Sequence, residues 1–363
     1  MTQNTTQIAQ AIVKALDDNF VFVDDVKAIL PLAFVGGKNV ILFGPGGHAK
    51  SKMLEKVIEA LDAKDETFVQ FFGEGMDEAR IYGGLNFEKL EKEHVLEYYP
   101  ERSFLNYRIA IFEELFDAPA NVLLALKDVL TSKELRNGAQ RFPMRTEVIV
   151  CLTNKEPAEI ADLGPAAEAL IERFPLQLNV KWDSYDKAAY EALFKKTCQK
   201  MTGPSMTKFQ GILAEVLANA TASGNFVSPR TAVHAFQVCQ TAAMVAGRDV
   251  VAKEDLVNLR FLPGLEVLAK SLQADIEAAM EREKGEKALA GYKTEYSALY
   301  ETMEGEHRPI QLLQVSKKAT ELLDRVSTLK VPDSLVSERK ELRNKVSDLS
   351  AEAQTKALNL TRI

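Results

Sequence analysis

A chain of 363 residues, 46% apolar and 27% charged, is long and apolar enough for two or three domains with sizeable cores, which excludes a disordered or fibrous polypeptide. Its net charge of −7 argues against nucleic-acid binding driven by bulk charge. Cys151, Cys198 and Cys239 are far apart and odd in number, so neither a disulfide framework nor a zinc site is expected.

His48, His94, His234 and His307 show no metal-ligand spacing. No run approaches eighteen apolar residues, and no basic segment leads into an apolar one near the start. A cytoplasmic protein with no membrane partner is therefore expected.

Residues 7–18 carry an amphipathic helical pattern, and a second helix is expected over residues 24–34. Between them lies Phe20, Val21, Phe22 and Val23, an apolar stretch placed to sandwich a purine base. Val40 to Phe43 is an apolar run of strand length. It breaks into Gly44, Pro45, Gly46, Gly47, His48, Ala49, Lys50 and Ser51, then into a helical face of Met53, Leu54, Val57, Ile58 and Leu61. Glycines let backbone N–H groups converge on an anion without an intervening Cβ. The helix start adds its partial positive charge. Residues 44–51 thus read as a phosphate loop for ATP, with Lys50 reaching the β- and γ-phosphates and Ser51 ligating Mg²⁺. The general pattern has glycine before the lysine, where this chain has Ala49.

Residues 67–72 read as a second strand, and 73–84 as a loop with a short helix. Residues 107–114 form a buried strand that ends in Glu113 and Glu114. A strand ending in acids belongs at the ligand edge of a parallel sheet. Glu113 would enter the Mg²⁺ shell and Glu114 would polarise the attacking water. A helix over 117–130 follows, and Asn137-Gly138 signals a hairpin within 134–142. The strand over 146–154 has a polar end that puts Thr153 and Asn154 beside the γ-phosphate. Residues 165–173 form a helix leading to Arg173, and 176–180 the last strand. Strands alternating with helices predict a parallel, three-layer αβα core over residues 1–182.

From Asp183 helical periodicity takes over, with helices over 185–198, 207–220 and one starting in 250–256. Ser228 is an N-cap followed by Pro229, and Arg230 sits in the first turn. Residues 183–262 read as an all-helical lid. The remainder, 263–363, is helical and highly charged. One stripe comprises Leu289, Tyr292, Tyr296, Leu299 and Met303; another comprises Leu342, Val346, Leu349 and Ala353. The four- and three-residue steps are coiled-coil-like. Gly305 to Pro309 and Val331-Pro332 punctuate these helices.

Together these motifs resemble an AAA+ ATPase of the MoxR group, closest to the RavA-like branch, over roughly residues 7–262. The family's phosphate loop typically reads Gly-x-x-Gly-x-Ala-Lys-Ser/Thr, which Ala49 fits. By resemblance, Lys50 and Ser51 are the Walker A pair, Glu113 and Glu114 form Walker B, and Asn154 is sensor 1. Arg173 in Glu-Arg-Phe matches the arginine finger, presented to a neighbouring subunit, and Arg230 in Ser-Pro-Arg matches sensor 2. The resemblance implies a homo-oligomeric ring, a hexamer, and a partner that often carries a von Willebrand factor A domain. One position departs: the family's first Walker B acid is aspartate, here Glu113, whose extra methylene could reach Mg²⁺ through water or slow turnover.

The leading expectation is a ring-forming, Mg²⁺-dependent ATPase that remodels or activates a protein partner, as a chaperone does. A nucleotide-gated scaffold with weak hydrolysis is the alternative that Glu113 keeps open. A nucleic-acid motor is a third reading, against which the acidic balance weighs.

Overall fold

The computed structural model describes residues 5–198, 202–305 and 308–361. Thr5–Asn19 (α1) and Asp24–Gly36 (α2) precede Val40–Phe43 (β1), and Lys50–Ala60 (α3) leads to Thr67–Phe71 (β2). Glu78–Ile81 (α4) and Phe87–Glu93 (α5) separate β2 from Ile109–Glu113 (β3). Ala120–Ser132 (α6), Glu134–Asn137 (β4), Gln140–Pro143 (β5) and Val148–Leu152 (β6) follow. Pro157–Ala161 (α7), Pro165–Ile171 (α8) and Leu176–Asn179 (β7) complete the α/β part.

Five of these strands form one sheet in the order β2-β3-β6-β1-β7, and every pairing is parallel. The central strands are apolar because both their faces are covered. Alternate residues separate into two cores. Ile41, Phe43, Phe112 and Cys151 join side chains of α6 and α8 on one face. Val40, Leu42, Ile111 and Val150 join α1, α2 and α3 on the other. The result is an α/β fold with three αβα layers. Since all five strands run the same way, their carboxyl ends share one edge. Onto that edge open the loop after β1, Glu114 after β3 and residues 153–154 after β6.

Two local expectations are corrected. The hairpin forms, but its central residues are Gly138 and Ala139, because Asn137 pairs with Gln140 as the last ladder position. Only Gly138 has a positive φ, 57°, so the turn's geometry places glycine first instead of second. The helix expected to start in 250–256 is instead a 3₁₀ segment, Lys253–Phe261. Asp255, 3% exposed, accepts from Arg248 at 3.0 and 2.5 Å and from the Ala252 amide at 2.7 Å. The buried Asp255 carboxylate, paired with the half-buried Arg248, holds the chain in tight turns.

Between β7 and that 3₁₀ stretch the regular elements among the described residues are helices, joined by irregular connections that carry an isolated bridge between Ser205 and Val250. Lys187–Leu193 (α9) runs into a π-helical turn, Phe194–Cys198, and Gln210–Ala222 (α10) and Pro229–Val245 (α11) follow. These residues belong with the sheet to one compact unit, Met1–Leu265.

The second unit is Glu266–Ile363. Its helices are Glu266–Gly305 (α12), Pro309–Thr328 (α13) and Asp333–Thr361 (α14). Leu289, Leu299 and Met303 of α12, Leu322 of α13, and Leu342 and Val346 of α14 share one core, and Tyr292 and Tyr296 pack against it half-buried. The break foreseen between Gly305 and Pro309 includes residues 306–307, which lie outside the described residues. Among the described residues no helix is long and apolar enough to cross a membrane.

Candidate functional site

The site grows from the junction of β1 and α3. Gly44 has φ 125°, and a Cβ there would run into the Val180 carbonyl oxygen. Gly47 has φ 89°, and a Cβ would collide with Ser228. Both positions therefore require glycine on two grounds, conformation and space. Ala49 takes φ 60° at the helix start, the left-handed region that glycine occupies freely and alanine occupies at a cost of roughly 1–2 kcal/mol.

This geometry turns Lys50 inward, where it is 7% exposed. Its Nζ donates to the Gly44 carbonyl at 2.6 Å, the Pro45 carbonyl at 3.1 Å and Asn154 Oδ1 at 3.0 Å. All three acceptors are neutral. Burial holds the Lys50 pKa below its ordinary value, opposed by the nearby Glu114 carboxylate. A buried cation satisfied only by neutral oxygens fits an incoming polyanion.

Register fixes the acids. Glu113 stands opposite Leu152, at the end of β3, and its Oε2 accepts from Ser51 Oγ at 2.9 Å. The Glu113 side chain thus reaches the Ser51 hydroxyl directly. Among the described residues no group of three or more His, Cys, Asp or Glu could hold a metal ion. Ser51 and Glu113 could supply two oxygens to Mg²⁺, with phosphate oxygens and water supplying the others.

Glu114 leaves the strand with φ 54° and ψ 40°, which swings its carboxylate toward β6. Its Oε1 accepts from Asn154 Nδ2 at 2.5 Å and its Oε2 from the Asn154 amide at 3.1 Å. Asn154 therefore bridges Lys50 and Glu114 with one side chain.

Arg230 joins from the first turn of α11. Ser228 caps α11 by accepting from the Thr231 amide at 3.2 Å, and the Arg230 amide donates to the Gly47 carbonyl at 3.1 Å. The Arg230 side chain is exposed and lines a cleft of about 500 Å³ together with Phe20, Gly47, Ser51 and His234. A smaller hollow beside it is lined by Val21, Phe22, His48 and Trp182. The 20–23 stretch thus borders the loop as a base platform would.

Arg173 is not brought to this edge. Its carbonyl accepts from Asn39 Nδ2 at 3.0 Å, and Asn39 precedes β1 at the amino end of the sheet. Gly44 lies five residue steps beyond Asn39, ~16 Å at the usual strand rise. The guanidinium instead donates to Thr131 Oγ1 at 3.1 Å and meets Glu172 at 3.5 Å.

Several neighbours of the loop escaped sequence reasoning. Asn179 donates to Glu156 Oε2 at 2.8 Å, and its buried Oδ1 has no partner among the described residues. Tyr185 and Phe226 pack on His48. No periodicity marks Tyr185 or Phe226, which come from different irregular segments, and Asn179 closes β7.

A family model for the MoxR domain of MoxR–vWA–β-propeller ternary systems matches residues 6–219, more than half of the chain. Among solved structures, a candidate ATPase of Cytophaga hutchinsonii is similar at 15% identity, over 71% of this chain and 87% of that one, with a TM-score of 0.40. Domain III of the Thermotoga maritima replication initiation protein DnaA is similar at 14% identity, over 72% of this chain and 99% of that one, with a TM-score of 0.44.

Proposed function

Since the chain belongs to the MoxR family of AAA+ ATPases, we propose that it binds ATP with Mg²⁺ at residues 44–51 and hydrolyses it as a hexameric ring. The observation that carries this reading is the meeting of Lys50, the Ser51–Glu113 pair and the Asn154–Glu114 pair on one sheet edge. Ser51 and Glu113 would hold Mg²⁺, which supplies charge neutralisation at the β- and γ-phosphates. Lys50 exchanges its neutral acceptors for phosphate oxygens. Asn154 turns its amide to the γ-phosphate and releases Glu114, whose carboxylate then takes the proton of the attacking water.

Arg230 approaches the γ-phosphate from the same chain. Arg173 serves the neighbouring subunit, a role supported by its remoteness from its own loop and by the large rate gain a guanidinium supplied in trans provides. The division into a core of residues 1–182, a lid of 183–262 and a helical arm of 263–363 is part of this reading. The affinity to the RavA-like branch rests on the motif order from Gly44 to Arg230. The family's description in ternary systems supports a partner with a von Willebrand factor A domain, and a β-propeller component beside it. Ring-driven remodelling of that partner is the expected output.

Phosphate release by the purified protein, read together with its sedimentation, tests this. Mg²⁺-dependent release by a particle six times the 40.3 kDa chain is expected. A monomer without turnover at saturating ATP contradicts the motor, and tight ATP binding by a ring with negligible turnover would favour the scaffold.

A further inference from the structure

His48 belongs to the 44–51 loop, yet its side chain is 4% exposed and both ring nitrogens are engaged by protein groups. Its Nδ1 lies 3.2 Å from the Pro45 carbonyl and its Nε2 lies 2.6 Å from Tyr185 Oη. A carbonyl can only accept, so Nδ1 carries the proton. Burial keeps the His48 pKa below its ordinary value, and the neutral ring then accepts a hydrogen bond at Nε2 from the Tyr185 hydroxyl. The ring also stacks on Phe226, 11° from parallel with centroids 6.1 Å apart. Tyr185 meets Phe226 edge-on at 5.0 Å.

These two contacts reach different parts of the lid. Tyr185 lies in the connection from β7 to α9, and Phe226 in the connection from α10 to α11. The latter connection ends at the Ser228 cap and Arg230. Together with the Gly47 carbonyl and the Arg230 amide, 3.1 Å apart, His48 fastens the loop to the lid at three points. Isolated surface contacts would leave the lid free to tilt. A buried imidazole hydrogen-bonded at both nitrogens does not.

We propose that His48 is a positioning residue that ties the phosphate loop to the lid through Tyr185 and Phe226, so that loop and lid move together and Arg230 is set by the state of the loop. The proposal rests on the reading that the loop binds a triphosphate.

The chain has one tryptophan, Trp182, stacked on Tyr185 at 5.7 Å and 24°, so its emission reports on this cluster. The full-length protein, Tyr185→Phe, Arg230→Ala and the double variant are titrated with ATP and Mg²⁺, following bound nucleotide by equilibrium dialysis and Trp182 emission in parallel. Tyr185→Phe keeps the ring and its packing and removes only the hydroxyl. ATP should shift emission in the unaltered chain. Tyr185→Phe should lose most of that shift and weaken ATP binding about three- to tenfold, the range of one net hydrogen bond. In the Arg230→Ala background the same substitution should cost no further affinity, because residues acting through one another are not additive. Full additivity, or an undiminished emission shift in Tyr185→Phe, would overturn the proposal. Failure of the unaltered chain to bind ATP would overturn the nucleotide reading itself, and it would be seen before any variant is compared.

Discussion

The two ends of the central sheet are made from the same parallel strands but differ in completeness. At the carboxyl end, Asn154 bonds both Lys50 and Glu114, and Ser51 bonds Glu113 beside them, all within one chain. At the amino end, Arg173 stands at a structured corner, tied through its carbonyl to Asn39 and through its guanidinium to Thr131. That corner has the charge to stabilise a phosphoryl group but no phosphate loop within reach. A parallel sheet separates its two ends by the length of its strands, so under the proposed reading Arg173 serves the loop of another copy.

Under the proposed reading, substitutions at the two ends should fail differently. Lys50→Ala should have the largest effect, removing measurable ATP binding in equilibrium dialysis and turnover with it; unchanged affinity would remove the site from residues 44–51. Arg173→Ala should lower turnover about 10³-fold while leaving ATP affinity as it was, since a guanidinium in trans acts mainly on the transition state. Loss of binding in that variant would mean that the amino-end corner serves the fold and not the chemistry. Glu114→Gln should reduce turnover ~10²-fold with binding intact, and normal phosphate release would strip Glu114 of its role.

The smallest effect lies in the loop itself. Ala49→Gly should raise stability by about 1 kcal/mol in denaturant unfolding, because the position already has a left-handed φ that costs alanine roughly that much. No gain would indicate that the loop relaxes around the alanine.

Much of the carboxyl end was legible because its signals are local. The glycines, Lys50 and Ser51 are consecutive, and the apolar runs of β1, β3 and β6 name the buried strands. The bond from Asn154 to both Lys50 and Glu114 was not legible in the same way. It joins residues 104 and 40 positions apart and depends on strand register. The hairpin's one-residue shift follows from which residue takes positive φ, which the Asn-Gly pair leaves open. The aromatic cluster of Phe22, His48, Trp182, Tyr185 and Phe226 draws on separate irregular segments, so no period betrays it. By contrast, the α12 and α14 stripes were readable from spacing alone, since a helix repeats its buried face every three to four residues.

The claim that the pocket is finished by a neighbour is tested most directly by mixing two inactive variants, Lys50→Ala and Arg173→Ala, and measuring phosphate release from the mixed particles. One variant retains the loop and the other retains the guanidinium, so some interfaces in a mixed ring hold both. Recovery of turnover above either variant alone is predicted. No recovery in particles demonstrated to contain both variants would contradict action across subunits.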